Sequence, residues 1–171
     1  VKPNNGGSSY GISKVNKPEE LEGAINKALE HDDEALVELF IDGMEITCGV
    51  IKIKGEIKAL GITEIVSHRE FFDYEAKYQG MSDEITPARI SKEIEKECMD
   101  LSVFIYKKLN CKGMVRMDYI LSEGRPYLIE VNITPGLTEE SLYPQQAKHA
   151  GISLKELFTL VIEDTLKKDT H

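Results

Sequence analysis

The stretch Arg116-Met117-Asp118-Tyr119, together with Leu128-Ile129-Glu130-Val131-Asn132-Ile133-Thr134-Pro135-Gly136, decides how the rest of the chain is organised. Apolar and polar residues alternate in both segments with the period of two that a half-buried β-strand requires. The intervening Ser122-Glu123-Gly124-Arg125 is typical of a tight turn, so the stretch predicts an antiparallel hairpin. One face is predicted to be apolar, with Val115, Met117, Tyr119, Leu121, Tyr127, Ile129 and Val131. The other face is predicted to be polar, with Arg116, Asp118, Glu130 and Asn132.

The register of this hairpin decides whether its polar side chains meet. If Asp118 lies opposite Glu130, the turn must hold an odd number of residues, and we expect a three-residue loop with Gly124 in the left-handed region. Two carboxylates that close repel each other unless a cation lies between them. Carboxylate and amide oxygens suit Mg²⁺, so Asp118, Glu130 and Asn132 are a candidate metal set. The alternative is a solvated sheet surface on which Arg116 neutralises the acids.

The composition excludes several classes of protein. A chain of 171 residues can bury one sizeable core or two small lobes. The formal net charge of −9 argues against nucleic acid or an anionic membrane as the default partner. No apolar run approaches the length of a membrane span, and no signal-peptide pattern is present. The cysteines Cys48, Cys98 and Cys111 form no CxxC pair, which favours reduced thiols and a cytoplasmic location.

The first third of the chain combines a polar loop, a helix and several strands. Residues 2–11 are rich in Gly, Ser and Asn, which suits a phosphate cradle, although this composition is more often a flexible surface loop. A helix is predicted from Pro18 to about His31. Strands are predicted at 35–41, at 44–53 and from 56 to about 62, joined by Asp42-Gly43 and Lys54-Gly55 turns into an antiparallel meander. Glu38 is either an edge-strand charge or an acceptor for a polar ligand.

The remaining segments predict one long connection and three helices. Residues 63–90 show no regular pattern and mix aromatic with charged residues, which indicates either an active-site lid or a packed Ω-loop. Ser91 is the predicted N-cap of a helix that ends near Leu109. A short helix is predicted from Pro144 to Gly151, and Ser153 caps the last one.

In this order, the motifs resemble those of the C-terminal part of the D-alanine–D-alanine ligase family, ATP-grasp enzymes of bacterial cell-wall synthesis. They are Val-Lys-Pro with a Gly-Ser-Ser loop, Phe-Asp-Tyr-Glu-Ala-Lys-Tyr, Arg-x-Asp, and Glu-x-Asn-x-x-Pro-Gly with a downstream Ser-Leu. The resemblance implies an α+β, ATP-grasp fold, with an antiparallel sheet flanked by helices and part of a smaller α+β subdomain. Residues 1–44 would be the remainder of the central subdomain, and residues 45–171 the C-terminal catalytic domain with an ω-loop at about 63–90. The resemblance implies that the family's N-terminal domain lies outside these 171 residues, so we expect a fragment with little turnover by itself.

The resemblance also implies which residues bind ATP. Lys2 would contact the ATP phosphates, and Lys77 would be a second phosphate-contacting lysine on the ω-loop. Glu38 and Ile41 would lie at the adenine, where Glu38 accepts from the exocyclic amine. Glu45 would bind the ribose hydroxyls.

Further residues match positions that act on the amino-acid substrates and the metal. Ser8 would close over phosphate and the first D-alanine, and Tyr78 would close on the same substrate. Arg116 would lie near the reacting carboxyl groups, and Gly136 would donate a backbone N–H to the developing oxyanion. Ser141-Leu142 would hold the second D-alanine. The family's ligands for two Mg²⁺ ions, with Mn²⁺ as a substitute, match Asp118, Glu130 and Asn132.

The implied activity is ATP-dependent ligation of two D-alanines to D-alanyl-D-alanine through an acyl phosphate, for peptidoglycan precursor synthesis. Tyr78 favours this product over the depsipeptide formed by resistance relatives. The full-length protein is expected to be a cytoplasmic homodimer whose partners are ATP and D-alanine, without nucleic acid or membrane. The alternatives are another ATP-grasp carboxylate–amine ligase and a nucleotide-binding module without turnover.

Overall fold

The computed structural model describes residues 1–7, 9–67 and 82–166. The predictions for Ser8, Lys77, Tyr78 and the aromatic stretch around them therefore lie outside the described residues. The chain divides into a first unit, Val1–Ile41 with Ser67–Asp83, and a second unit, Asp42–Val66 with Glu84–His171. The predicted domain assignment, with its boundary after residue 44, stays a prediction.

The described part of the first unit contains a two-stranded sheet and one helix. Strand β1 (Lys2–Pro3) pairs antiparallel with β2 (Ala35–Leu36). Helix α1 (Leu21–Leu29) follows a 3-10 turn at Pro18–Glu20 and buries Ala24 and Ala28. The predicted helix is confirmed, because proline at its first turn and glutamates at the positive end of the helix dipole favour this start.

The predicted strand at 35–41 is wrong beyond Leu36. Residues 37–43 have no strand conformation, and Val37 and Leu39 are 59% and 89% exposed. The partner of β2 is β1 and not the strand that follows Asp42-Gly43, so the first of the three predicted meander strands does not join the others. A segment of strand-forming residues becomes a strand only where a neighbour pairs with its backbone N–H and C=O groups, and the described part of the first unit pairs only two of these residues.

The second unit is built on a five-stranded sheet in the order β5-β4-β3-β6-β7. Its strands are β3 (Met44–Ile53), β4 (Glu56–Ser67), β5 (Ser82–Ile85), β6 (Met114–Ser122) and β7 (Arg125–Asn132). The pairs β3–β4, β3–β6 and β6–β7 are antiparallel, and the predicted turn between β3 and β4 is confirmed at Lys54-Gly55. The absence of regular structure predicted for 63–90 is wrong at both ends, because β4 continues to Ser67 and Ser82–Ile85 forms an edge strand.

Helix α2 (Lys92–Lys108) covers one face of this sheet. It begins at the predicted N-cap, where Ser91 Oγ accepts a hydrogen bond from the Ile94 N–H at 3.3 Å. The buried core on this face contains Ile46, Cys48, Val50, Ile62, Cys98, Tyr106, Val115, Met117 and Tyr119. The predicted apolar face of the first hairpin strand is therefore the core face.

Helices α3 (Leu142–His149) and α4 (Leu154–Leu166) pack with the opposite side of β3. Their core contains Ile51, Leu60, Tyr143, Ala147 and Leu157. Because strand side chains alternate, Thr47, Gly49 and Ile51 of β3 all lie on the α3 side, away from Cys48 and Val50. None of the helices in the described ranges is long and apolar enough to cross a membrane.

Candidate functional site

The hairpin of β6 and β7 brings the predicted polar residues into one group. Asp118 is directly opposite Glu130, and Arg116 is directly opposite Asn132, as predicted. Cross-strand partners project to the same side of a sheet, so these four side chains share a face. On the neighbouring strand β3, Thr47 is the partner of Asp118. The group therefore lies on the side of the sheet that also carries α3.

The three-residue turn predicted for this hairpin is wrong. The turn holds two residues and not three, since Ser122 pairs with Arg125 around Glu123 and Gly124. Both turn residues have positive φ, 50° and 76°, as a type I′ hairpin turn requires. The odd residue is accommodated inside β7, where the partner of Tyr119 is Leu128, which leaves Ile129 as a β-bulge.

This bulge also corrects the predicted faces of β7. Val131 pairs with Met117 on the core side, as expected. Tyr127, however, pairs with Ile120 and so lies on the side opposite to the prediction, with 42% of its surface exposed. An extra residue reverses the face of every residue beyond it, because side chains alternate with a period of two.

Asp118 is the centre of the polar group. Its two carboxylate oxygens accept hydrogen bonds from Arg116 Nε at 2.8 Å and Nη2 at 2.9 Å. A third bond comes from Asn132 Nδ2, which donates to Asp118 Oδ2 at 2.8 Å. The side chains of Arg116 and Asp118 are only 20% and 15% exposed. A bidentate, largely shielded arginine–carboxylate pair of this kind holds both groups in one orientation.

The charges around Arg116 form a mixed field. Burial lowers the pKa of Arg116, but hydrogen bonding to Asp118 and the charges of Asp118, Glu130 and Glu45 raise it above its usual value overall. The arginine is thus held as a cation among three carboxylates. Arg116 therefore offsets part of the negative charge of these acids, as the alternative interpretation expects, and the metal site stays a prediction.

The donor set of this group fits a hard divalent cation in its chemistry. Asp118 and Glu130 offer carboxylate oxygens on one face, and Asn132 offers an amide that already touches Asp118. In the described ranges, His, Cys, Asp and Glu residues do not gather in threes as a metal cluster would. A metal here would therefore depend on two carboxylates and an amide, with further ligands from water or substrate, as Mg²⁺ commonly uses.

Gly136 and Ser141 are brought together at the entrance to α3. A Cβ atom on Gly136 would lie 2.8 Å from Ser141 Oγ, so a larger residue here would force this hydroxyl to shift. Ser141 is held by its N–H bond to Thr138 O at 2.9 Å and by a 2.8 Å contact between the two hydroxyl oxygens. Leu142 is the first residue of α3. Gly136, the predicted donor to the oxyanion, is thus a neighbour of Ser141, which is predicted to bind the second D-alanine.

In the first unit, the predicted ATP residues Lys2 and Glu38 form an ion pair. Lys2 Nζ lies 2.6 Å from Glu38 Oε2, with side-chain exposures of 28% and 56%. The polar loop after Lys2 is tied down by the Asn4 N–H, which donates to Glu34 O at 2.9 Å. Ile41 lies beyond β2, outside any strand. Their predicted roles toward ATP stay predictions.

Comparison with known proteins identifies the family. Residues 1–163 match the family described as the C-terminus of D-ala D-ala ligase. The chain belongs to this family. The D-alanine–D-alanine ligase of Flavobacterium johnsoniae is 55% identical over 166 residues, which cover 97% of this chain and 51% of that protein. The ligase of Christiangramia forsetii is 51% identical over 168 residues, 98% of this chain and 52% of its own length. The chain thus spans about half the length of these relatives.

Solved structures of similar ligases agree with this assignment. The VanG D-Ala:D-Ser ligase from Enterococcus faecalis matches with a TM-score of 0.85 and 40% identity, over 95% of this chain and 48% of that one. The D-alanine–D-alanine ligase from Bacillus anthracis complexed with ATP matches with a TM-score of 0.80 and 32% identity, over 97% and 51%. The predicted α+β, ATP-grasp fold is confirmed.

Two glutamines on α3, which the motifs of the sequence do not single out, also lie near the polar group of β6 and β7. Gln146 is fully buried, and Gln145 Nε2 donates to Glu84 Oε2 at 2.6 Å. Burial raises the pKa of Glu84, while the hydrogen bond from Gln145 and the charge of Arg116 act in the opposite direction. A signal was present for Gln146, because its spacing from Tyr143 and Ala147 places it on the buried stripe of the helix.

Proposed function

We propose that the protein containing this chain joins two D-alanines in an ATP-dependent reaction that supplies a peptidoglycan precursor. Membership of the ligase family supports the reaction class. The observation that carries the proposal is the group around Asp118, which opposes Glu130 and is held by Arg116 and Asn132. It supplies charged and polar groups of the kind that phosphoryl and acyl transfer require.

The reaction needs activation because a carboxylate and an amine do not condense in water. The carboxylate of the first D-alanine attacks the γ-phosphorus of ATP, which forms an acyl phosphate and releases ADP. The amine of the second D-alanine then attacks the acyl carbon, loses a proton, and expels phosphate as the peptide bond forms. Each step spreads negative charge over oxygen atoms, so fixed cations and N–H donors stabilise the transition states.

The proposed nucleotide contacts come from lysines and acceptors along the chain. Lys2 and Lys77 would place point charges at the phosphates. Glu38 would exchange its ion pair with Lys2 for the adenine amine, with Ile41 beside the base. Glu45 would accept from the ribose hydroxyls.

The fit of the donor set supports a proposed magnesium site. Asp118, Glu130 and Asn132 would hold two Mg²⁺ ions, or Mn²⁺ in their place. Bound there, the metal would neutralise charge on the transferred phosphoryl group. Arg116 would lie near the reacting carboxyl groups, since its pair with Asp118 holds the guanidinium in a fixed orientation beside the metal-binding residues.

The proposed amino-acid contacts concern two loops and the start of α3. Ser8 and Tyr78 would enclose the first D-alanine, and Gly136 would donate its backbone N–H to the oxyanion. Ser141 and Leu142 would bind the second D-alanine. A second candidate function is ligation of D-alanine to D-serine, since the similar VanG protein is described as a D-Ala:D-Ser ligase.

The test uses the full-length protein with ATP, Mg²⁺ and D-alanine, and measures phosphate release together with the mass of the product. We expect D-alanyl-D-alanine, and an equimolar D-serine competitor tests the second candidate. Glu130→Gln should reduce turnover by at least about 100-fold. Its matched control is Glu123→Gln in the exposed turn of the same hairpin, which should retain normal turnover.

Other outcomes would redirect the proposal. A nucleotide-binding module without turnover would bind ATP, form no dipeptide and be indifferent to both substitutions. Another carboxylate–amine ligase would release phosphate only with a different acid or amine.

We also propose a cytoplasmic homodimer for the full-length protein. Light scattering at assay concentrations should give twice the mass of one full-length subunit.

A further inference from the structure

Gln146 is a buried polar residue at the interface of α3 with the sheet. Its side chain is fully inaccessible to solvent, on a helix stripe otherwise formed by Tyr143 and Ala147. A glutamine is rarely buried completely unless its amide makes specific hydrogen bonds, because desolvation of the amide is costly. The position therefore needs an explanation beyond packing.

The Gln146 amide ties α3 to two strands at once. Its Nε2 donates to the backbone oxygen of Thr47 on β3 at 3.0 Å and to Thr63 Oγ1 on β4 at 3.1 Å. Thr63 Oγ1 in turn lies 2.6 Å from Thr86 Oγ1, which restrains the acceptor. In the described part of the chain, Gln146 Oε1 has no hydrogen-bond partner, so the anchoring comes from the NH₂ group alone.

The approach of helix to strand at this point depends on Gly49. A Cβ atom there would lie 2.6 Å from Gln146 Oε1 and 3.1 Å from Tyr143 Cε2. Because no side chain intervenes, α3 lies directly on the backbone of β3. Tyr143 adds a hydrogen bond from its hydroxyl to Val50 O at 2.8 Å. The helix is thus held at a defined depth and rotation.

This anchor lies one helical turn from Ser141 and Leu142, the residues proposed to bind the second D-alanine. Leu142 is four residues before Gln146 and so lies on the same side of α3, with Ser141 as the residue before the helix. Thr47, whose backbone binds Gln146, is the cross-strand partner of Asp118. One amide therefore links the start of α3 with the strand next to Asp118.

We propose that Gln146 is a positioning residue that holds Ser141 and Leu142 in register with β3 and thereby sets discrimination for the second amino acid. This inference rests on the proposed ligase function. A small displacement of a substrate-binding group can change rates by up to about 100-fold, so a lost anchor should weaken selection even in a folded enzyme.

The experiment uses the full-length protein carrying Gln146→Met, which keeps the side-chain length and removes the NH₂ donor. D-Alanine and D-serine are supplied together with ATP, and mass spectrometry measures the ratio of the two dipeptides. This ratio does not depend on the amount of folded enzyme or on defects in ATP binding. We expect the ratio of the two dipeptides to change by about 5-fold or more. The KM for ATP should stay within about 2-fold of that of the unsubstituted protein.

Two further variants make the result decisive. Thr63→Val keeps the shape, removes one of the two acceptors, and should shift the ratio in the same direction by a smaller factor. Ser102→Ala removes the buried 2.7 Å bond to Tyr119 on the α2 side of the sheet and should leave the ratio unchanged. An unchanged ratio in both Gln146→Met and Thr63→Val, or an equal shift in Ser102→Ala, overturns the inference. If the unsubstituted protein makes neither dipeptide, the proposed function itself fails.

Discussion

Replacing Asp118 with asparagine separates the chemical role of the polar group from its structural role. The substitution preserves shape but removes the charge that accepts two bonds from Arg116 and one from Asn132. Hydrogen bonds to charged groups contribute about 1.5–3 kcal/mol each. The full sum is not lost, because the new amide still offers one oxygen and the charges of Glu130 and Glu45 continue to favour the arginine cation. We expect the free energy of unfolding to fall by about 1–3 kcal/mol.

The expected effect on turnover is larger than this loss of stability explains. A typical protein has about 5–15 kcal/mol of stability, so the variant should remain folded under assay conditions. We nevertheless expect dipeptide formation to fall by at least about 100-fold, because the variant lacks a charge at the proposed phosphoryl-transfer site. The assays are denaturant unfolding and D-alanine-dependent phosphate release by the full-length protein.

The matched control is Asp100→Asn on the exposed surface of α2. Asp100 is also paired with a cation, Lys96, but the side chains are 67% and 76% exposed. Exposed pairs contribute about 0.2–1 kcal/mol, so stability and turnover should change little. A folded Asp118→Asn protein with turnover within about 5-fold of the unsubstituted protein would refute the reasoning. Such a result would show that the reaction does not depend on the negative charge of Asp118.

Two further predictions concern the fold around the site. Glu64 is only 5% exposed, and hydrogen bonding to Arg89 lowers its pKa below the ordinary value of 4.5, so the pair stabilises the protein above pH 4.5 and loses this contribution as the pH falls through the lower folded pKa. Glu64→Gln should remove this part of the pH dependence of stability. Urea unfolding at pH 3 to 7 gives the free energy of unfolding of the variant and of the unsubstituted protein, and the two should converge at low pH. A constant difference between them at every pH would contradict the prediction. Gly49→Ala should destabilise the protein by about 1–3 kcal/mol, because its Cβ would lie 2.6 Å from Gln146 Oε1. Gly23→Ala in α1, where a Cβ meets nothing within 4 Å, should stabilise it by up to about 1 kcal/mol, and equal effects of the two substitutions would show that the contact is unimportant.

The hairpin shows how far local pattern reaches. The alternation around Asp118 predicts its face and the side chains that share it, because the period of two is a property of extended backbone itself. Its pairing with Glu130 depends in addition on the register of the hairpin. The same alternation places the odd residue in the turn, whereas the structure places it at Ile129. The sequence around Ile129 carries no local signal for a bulge, so only the pairing of β6 with β7 reveals it.

Strand formation in the first unit shows the opposite limit. Val37, Leu39 and Ile41 belong to a largely apolar segment of the kind that favours strands, but the described chain offers them no strand partner. In contrast, β4 exceeds its predicted length because β3 pairs with it as far as Glu45 and Ile65. Length and partner of a strand depend on backbone hydrogen bonds from another segment, which local propensity does not encode.

By itself, the sequence determined the residue types of the site, the faces of β6, the start of α2 and the motif order typical of the ligase family. Tertiary structure alone decided that Arg116 and Asn132 both bind Asp118, that Gly136 contacts Ser141, and that Gln146 anchors α3. The physical reason is that side-chain alternation and capping act within a few residues of chain. The contact between Gln146 and Thr47 joins groups 99 residues apart and exists only after the helix has packed on the strand.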